Sequence, residues 1–248
     1  MGHLDYYQTA SKASKVIKGH PGLEYLQTQT CSSSKILDLG CGEGTRLNTL
    51  IGKSKAGWGI DINKQAVKQA RTQYPHHKFF LYDGKKLPFK DSSFNLVYSA
   101  FVLEHTTNPS LFIKQAVRVL KPNGLLILLC PNFGAPNRRS PNSIQRPILK
   151  LITGFIKDFF YQDVSSWVKV HPKKTYSQID NDTTIEPYLL SLTRYLKKLN
   201  YKIIKASSLW ELEEKTLNPR KFTIALLGKL NIFPFKYWGP QIFIAIQK

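Results

Sequence analysis

The 248-residue chain has few acidic residues, few cysteines and no long hydrophobic run. Sixteen Asp and Glu stand against 36 Lys and Arg, which gives a formal net charge of +20. The three cysteines, Cys31, Cys41 and Cys130, are odd in number and widely spaced, so they predict neither a disulfide framework nor a metal site. No run approaches the ~18 apolar residues of a membrane-spanning helix, and residues 1–30 lack the apolar core of a secretory signal. We therefore expect a reduced, metal-free, cytoplasmic protein.

What the chain does contain is enough apolar material for a folded core and a strong basic excess. Hydrophobic residues make up 42% and aromatic residues 12%, which excludes a largely disordered chain. No acid occurs between Glu104 and Asp158, whereas eight Lys and Arg do. Such a field attracts nucleic acid, a phospholipid surface or a phosphorylated substrate, although lysine-rich solvated faces would give the same composition.

Short apolar runs alternate with helical patterns over the first 130 residues. This alternation is typical of a parallel sheet with helices on both faces, so we expect a Rossmann-like α/β fold. Two further strands, at 201–207 and 241–247, bring the mostly parallel sheet to seven strands. The first five predicted strands are 35–39, 57–61, 79–82, 94–99 and 125–130.

The segment from Ile36 to Thr45 indicates a ligand site. A predicted strand ends there in glycines at 40, 42 and 44, and glycine lets the backbone turn sharply and approach a ligand closely. Asp61 ends the second strand, where an acid can accept hydrogen bonds from both hydroxyls of a ribose. An adenosine-containing cofactor is therefore expected. A dinucleotide fingerprint would need a glycine at position 45, which is Thr45, and this departure counts against NAD.

At this point the chain resembles the class I S-adenosylmethionine-dependent methyltransferases, and within them the methyltransferase type 11 group. Six motifs match in the family's order over residues 35–132, whereas the last third of the chain matches only in its predicted helix and strands. One departure is Asn95, where the family usually has Asp. The matching segments are the glycine loop, 59–62, 82–89, 91–97, 102–105 and 118–126.

The resemblance implies S-adenosyl-L-methionine as cofactor and assigns roles to residues of this chain. The glycines would pass close to the methionine part, Asp61 would bind the ribose, and Ile62 would lie against the adenine. Asp83 would accept from the adenine amino group, although a simple turn role would also explain an acid at this position. Asp38 would orient the glycine loop. The complete predicted cofactor set is Asp38, Gly40, Gly42, Gly44, Asp61, Ile62, Asp83, Gly84 and Ser99.

The predicted organisation is one domain over residues 1–248. It comprises an N-terminal helical segment at 1–30, a cofactor-binding core at 35–132 and a variable substrate lid at 131–183, inserted between the fifth and sixth predicted strands. The lid contains an amphipathic helix at 144–160, which would either pack on the core or rest on an anionic membrane surface. Its candidate substrate-binding residues are Arg138, Arg139, His171 and Tyr176.

His105 is the candidate catalytic base, because it follows the fourth strand on the side of the sheet where ligands bind. A helix-capping or packing role would explain the same residue. We expect methyl transfer to a small-molecule, sugar-linked or lipid-linked acceptor, which the basic lid predicts to be anionic. The alternatives are a tRNA or rRNA base methyltransferase and a methyltransferase fold retained only for binding. Against the first, the chain has Ser99-Ala100-Phe101 where amino-group methyltransferases of this superfamily have an Asn-Pro-Pro-Tyr type motif.

Overall fold

The computed structural model describes residues 14–53, 55–160, 167–172, 181–213 and 219–248. Two compact units are present. The first comprises residues up to Val102 together with Asn108–Leu128 and Gln247–Lys248, and the second comprises Leu103–Thr107 and Leu129–Ile246. In the described part of the chain, no helix combines the length and the apolar character that crossing a bilayer requires.

The strands confirm the predicted sheet. Seven of them form one sheet in the order β3-β2-β1-β4-β5-β9-β8, and β1 pairs in parallel with β2 and β4, as β2 does with β3. Two short strands, β6 and β7, pair antiparallel in a separate hairpin. The strands are β1 Ile36–Leu39, β2 Trp58–Asp61, β3 Lys78–Leu81, β4 Phe94–Ala100, β5 Leu120–Pro131, β6 Val168–Lys169, β7 Ile185–Glu186, β8 Lys202–Ser207 and β9 Gln241–Gln247.

Seven α-helices lie in the described residues, and local sequence explains where several of them begin. The Asn63 side chain accepts from the backbone N–H groups of Gln65 and Ala66, and Asn108 caps the helix that starts at Pro109. The helices are α1 Pro21–Ser32, α2 Thr45–Ile51, α3 Lys64–Gln73, α4 Pro109–Val119, α5 Pro147–Phe160, α6 Leu189–Lys198 and α7 Pro219–Lys229.

Several element boundaries differ from the prediction, and one helix was not predicted. Strand β5 begins at Leu120 rather than at 125, and it includes Asn123, whose φ of +62° departs from the extended conformation. Helix α1 ends at Ser32, two residues beyond the predicted helical segment at 1–30. Helix α7 has no counterpart in the prediction. The N-terminal part of the predicted 1–30 segment lies outside the described residues.

The core of the first unit places the carboxyl ends of β1 and β2 side by side. All four residues of β1 are buried, as expected of a central parallel strand covered on both faces. Gly40 and Cys41 both donate to the Ile60 carbonyl, at 2.8 and 3.0 Å, so the chain leaving β1 is held against the end of β2. The glycine segment and Asp61 therefore lie at the same edge of the sheet.

In the second unit, the buried side chain of Asn132 connects three parts of the chain. Its amide group donates to the carbonyls of Tyr237 and Gly239, at 2.7 and 2.8 Å. Its side-chain oxygen accepts from the Leu189 N–H at 3.1 Å, at the start of α6. These bonds fix the end of β5 against the segment before β9 and the first turn of α6.

His77 makes stability in the first unit depend on pH. Its ring is buried, its Nδ1 accepts from the Gly57 N–H at 3.0 Å, and burial, with His76 adding to it, lowers its pKa to about 4. The unfolded chain takes up this proton near pH 6.5, so stability contributed by His77 is present above that pH and is lost as pH falls towards 4. We expect His77→Asn, which keeps an acceptor near Gly57, to flatten the fall of melting temperature over this range.

Asp38 has the opposite effect on the pH dependence of stability, and this effect is expected to be the same in the wild type and in His77→Asn. Burial raises the pKa of this carboxyl to about 7, so its contribution decreases as pH rises from about 4 to 7. The difference between the wild-type and His77→Asn melting curves therefore isolates His77. Parallel curves across pH 6.5 to 4 would show that the histidine is protonated in the folded protein and would contradict this prediction.

Candidate functional site

The glycine loop that follows β1 adopts a conformation that favours glycine at three positions. Gly40, Gly42 and Gly44 have φ angles of +89°, +53° and +83°. A Cβ at Gly40 would lie 2.4 Å from Val102 Cγ2, and one at Gly44 would lie 2.7 Å from Phe79 Cζ. These two glycines are thus required both by backbone conformation and by packing within the first unit.

Gly42 differs from its two neighbours in the loop. Apart from Gly42 and its two chain neighbours, no heavy atom of the described residues lies within 4 Å of the position that a Cβ at Gly42 would take. Close packing against protein therefore does not explain this glycine. The space beside it is available to a ligand that approaches the loop backbone.

Asp61 closes the loop from the end of β2. Its Oδ2 accepts from the Gly42 N–H at 2.8 Å and its Oδ1 from the Asn63 N–H at 2.8 Å. Burial raises the pKa of this carboxyl, although the two backbone donors oppose the rise. Since each carboxylate oxygen can accept more than one hydrogen bond, Asp61 keeps acceptor capacity for a diol such as a ribose.

An apolar platform lies next to Asp61. The Ile62 side chain is 66% exposed, which is unusual for isoleucine, and its Cγ2 lies 3.6 Å from where a Cβ at Gly84 would stand. Asp83 precedes that glycine and is exposed. Its Oδ1 accepts from the N–H groups of Lys85 and Lys86, which lowers its pKa. Through these two hydrogen bonds, Asp83 Oδ1 stabilises a turn.

Two predicted cofactor residues use their side chains to join strands. The buried Asp38 carboxylate accepts from the Tyr98 hydroxyl at 2.8 Å, between β1 and β4. Ser99, also buried, donates to the Leu39 carbonyl at 2.8 Å. Both residues lie at the edge where the glycine loop starts, and in this structure both hold that edge together.

Glu43 is a residue that sequence reasoning missed. It lies between two glycines of the loop, its side chain is only 4% exposed, and its Oε1 makes no hydrogen bond with the residues that the structure describes. A buried carboxylate oxygen without a partner is costly, and such groups mark sites that bind ligands or ions. The signal in the sequence was an acid within a glycine turn next to a ligand-facing position.

His105 lies in the second unit, in a short 3-10 turn. Its Nδ1 is 3.2 Å from Asp182 Oδ1, and its Nε2 is 3.7 Å from the buried carboxylate of Glu104. Burial raises the pKa of Asp182, but its interactions with His105 outweigh this and leave the pKa below its usual value. Thr184 fixes the turn, because its N–H donates to the Glu104 carbonyl and its hydroxyl to the Thr106 carbonyl, both at 2.9 Å.

Among the described residues, no contact joins the predicted substrate-binding residues to one another. Arg138 forms a two-bond ion pair with Glu213, and its guanidinium lies 5.4 Å from the Trp210 ring centroid. Arg139 and His171 are exposed, and one guanidinium nitrogen of Arg139 donates to the Ser143 carbonyl. Tyr176 lies outside the described residues. The role of these four residues in substrate binding stays a prediction.

The strand order, the glycine turn after β1 and the acid at the end of β2 define a nucleotide-cofactor-binding α/β fold. Within that class, the family model described as "Methyltransferase domain" matches residues 37–128. Through this segment the chain is similar to the S-adenosylmethionine-dependent methyltransferases, a class whose cofactor is S-adenosyl-L-methionine.

Individual relatives resemble part of the chain. A demethylmenaquinone methyltransferase of Tropheryma whipplei is 33% identical over 110 residues, which cover 43% of this chain and 45% of the relative. A Bacillus subtilis protein, whose name assigns it to 23S rRNA (guanine-N1) methylation, is 29% identical over 68% of this chain and 52% of its own length. The chain spans about half of the length of the curated relatives it matches, or less.

One solved structure shows the fold over most of the chain. The S-adenosylmethionine-dependent methyltransferase from Mesorhizobium loti superposes with a TM-score of 0.55 at 16% identity, covering 86% of this chain and 90% of that one. The similarity therefore extends beyond residues 37–128 at the level of the fold.

Proposed function

We propose that this protein transfers a methyl group from S-adenosyl-L-methionine to a small-molecule, sugar-linked or lipid-linked acceptor. The observation that carries the proposal is the junction of the glycine loop and Asp61. The Gly42 N–H donates a hydrogen bond to one oxygen of the Asp61 carboxylate, which keeps further acceptor capacity. The position that a Cβ at Gly42 would occupy is open space. A ribose at Asp61 and an adenine on Ile62 fit this arrangement, as the resemblance implies.

Glu43 adds a charge argument for the methionine part of the cofactor. That part carries an ammonium group, and the Oε1 of Glu43 is a buried acceptor without a hydrogen-bond partner among the described residues. A charge-assisted hydrogen bond to this oxygen would offset the cost of its burial. Glu43 and Asp61 would then hold opposite ends of the same molecule.

Methyl transfer makes few chemical demands on the protein. S-adenosylmethionine supplies a methyl group already activated on a sulfonium, so the protein has to align the acceptor and exclude water. When the acceptor is a hydroxyl or an acidic carbon, a base must also take its proton. His105 is the candidate for this base, and its ring lies between two carboxylates, with Nδ1 3.2 Å from Asp182 and Nε2 3.7 Å from Glu104.

The acceptor class rests on composition and on a named relative. The net charge of +20 favours an anionic acceptor, and one similar protein is named for methylation of demethylmenaquinone. An anionic or lipid-linked molecule is consistent with both. A screen with methyl-labelled cofactor and fractionated cell metabolites and lipids would identify it.

The proposed function is tested first by calorimetric titration of S-adenosylmethionine into the wild type and into Asp61→Ala. Removing a carboxylate that accepts hydrogen bonds from the ribose should cost roughly 1.5–3 kcal/mol, which is at least tenfold in Kd. Titration with NADH, the alternative adenosine cofactor, should show no binding.

The matched control is Asp91→Ala, which removes the same charge from an exposed position in the first unit. It should bind S-adenosylmethionine like the wild type, and melting curves must show that both variants are folded. Saturable NADH binding, or equal cofactor affinity in Asp61→Ala and the wild type, would overturn the assignment. Saturable cofactor binding without methyl incorporation into any acceptor would favour a retained binding fold.

A second candidate function is methylation of a tRNA or rRNA base. It is favoured by the basic charge and by the Bacillus subtilis relative named for 23S rRNA methylation. Binding through phosphates weakens steeply as salt is added. Bulk tRNA that binds at low salt and is methylated would support this candidate, whereas no binding at low salt would reject it.

A further inference from the structure

Helix α5 has its polar side buried in the second unit. Lys150, Gly154 and Asp158 lie four residues apart and form the inward stripe of the helix. The buried Lys150 ammonium lies 2.6 Å from Glu186 Oε2 and also donates to the Phe133 carbonyl. A Cβ at Gly154 would lie 2.7 Å from Pro136. Charged groups with specific partners therefore attach this helix to its unit, together with the Phe155 ring, which packs against Phe235 and Trp238.

Asp158 provides the second buried anchor. Its Oδ2 accepts from the Tyr188 hydroxyl at 2.5 Å and from the Trp238 indole N–H at 2.8 Å. The backbone carbonyl of the same residue accepts from Arg194 at 2.9 Å. With Lys150, these bonds fix the rotation of α5 about its own axis, and its opposite side must face outwards.

That outward side is apolar. Ile148 is 74% exposed and Phe160 is 78% exposed, and the isoleucines between them in the i, i+4 pattern are also exposed. The Phe233 ring packs on Phe159 with centroids 5.0 Å apart and is itself part of the exposed surface. We define the outer apolar surface as Ile148, Ile152, Ile156, Phe159, Phe160 and Phe233. Soluble monomers rarely expose a contiguous apolar surface of this kind without a partner.

Within α5 and in the described chain after residue 218, the exposed charged side chains are all cationic. The only acid of α5 is Asp158, which is buried and hydrogen-bonded, and the sequence from 215 to the end contains no acid. Arg146 and Lys157 are exposed before and on α5, and Lys229 is exposed at the end of α7. An apolar face bordered by cations matches the interface of a bilayer that contains anionic lipids.

We propose that the outer apolar surface docks the second unit on anionic membrane, with α5 lying in the plane of the interface. The apolar side chains enter the boundary between headgroups and acyl chains, while Arg146 and Lys157 face lipid phosphates. An acidic protein partner is disfavoured, because large isoleucine and phenylalanine side chains occupy the centre of the surface and the cations lie outside it. The proposal does not depend on methyl transfer, since the anchoring contacts of α5 and its exposed face are independent of the cofactor site.

Vesicle flotation tests the proposal. The full-length protein is mixed with vesicles of phosphatidylcholine alone or of equal phosphatidylcholine and phosphatidylglycerol, and the bound fraction is measured against lipid concentration. We expect binding to the anionic vesicles, weak binding to the neutral ones and release by added salt. The double variant Ile148→Gln with Phe160→Gln should lower the partition coefficient at least tenfold, because two large apolar side chains would no longer be buried in lipid. Lys157→Gln should lower it about fivefold.

The matched control replaces two exposed apolar residues elsewhere in the second unit. Ile204 and Val168 are 44% and 46% exposed, so Ile204→Gln with Val168→Gln makes the same chemical change and should leave vesicle binding intact. S-adenosylmethionine titration should give wild-type affinity for both double variants, and Asp61→Ala should float like the wild type. Failure of the membrane proposal is thus separated from failure of the proposed function.

Three outcomes would overturn the proposal. The first is the absence of wild-type binding to anionic vesicles at low salt. The second is equal loss of binding in the two double variants, since the effect would then not be specific to this surface. The third is a wild-type dimer that becomes a monomer in Ile148→Gln with Phe160→Gln while neither protein binds vesicles. The surface would then be a contact between two copies of the chain.

Discussion

We expect His105→Ala to lower the rate of methyl transfer by roughly 10²–10⁴-fold, the usual contribution of a general base. The expectation follows from the position of His105 after β4 and from the Asp182 carboxylate, which lies 3.2 Å from Nδ1 and orients the ring. The rate is measured with methyl-labelled cofactor and the acceptor that the incorporation screen identifies. Cofactor affinity should not change, because His105 serves the acceptor and not the cofactor.

Asp182→Asn is the companion variant for this prediction. Asp182 is proposed as a positioning residue, so its replacement should shift the pH–rate profile and reduce the rate less than His105→Ala does. A packing role for His105 predicts something else: a lower melting temperature with an unchanged pH profile. An acceptor that carries its own nucleophilic lone pair needs no base, and a rate unaffected by His105→Ala would refute the assigned role.

The second large effect concerns the ion pair that holds α5. We expect Glu186→Leu to lower the free energy of unfolding by roughly 3–5 kcal/mol, because the buried Lys150 ammonium would lose its counter-charge. The Lys150 side chain is buried, and burial lowers its pKa despite the opposing interaction with Glu186. Urea denaturation followed by circular dichroism measures the change.

The double variant Lys150→Met with Glu186→Leu decides whether the cost comes from the unpaired charge. Replacing both partners by apolar groups of similar size is often neutral, so the double variant should recover most of the lost stability. Ser140 sets a limit on this recovery, since its N–H and hydroxyl both donate to Glu186 Oε1 and would lose their acceptor. A double variant that is less stable than Glu186→Leu alone would contradict the prediction.

Local patterns were sufficient to predict the cofactor-binding part of the fold. Glycines at 40, 42 and 44 indicated a sharp turn because few other residues adopt positive φ, and all three have it. Asp61 was predicted at the end of a strand and lies there, bonded to the Gly42 N–H. These features depend on residues close in sequence and on the regular geometry of parallel strands.

Several side-chain roles could not be predicted from local patterns. The Asp38 carboxylate, expected to orient the loop, accepts from the Tyr98 hydroxyl 60 residues away, and one oxygen of Asp83 accepts from the N–H groups of its own turn. Arg138, predicted to bind substrate, pairs with Glu213, 75 positions along the chain. Sequence spacing gives no measure of such contacts, because they depend on which strands and turns become neighbours.

By itself the sequence determined that α5 is an amphipathic helix and that the strands of the first unit form a cofactor-binding sheet. Periodicity states which side chains share a helix face, but not which face is buried. Only the tertiary structure decided that, since Lys150 and Asp158 find Glu186, Tyr188 and Trp238, all distant in sequence. Burying charged groups is favourable only where such partners exist, and here they turn the apolar face of α5 outwards.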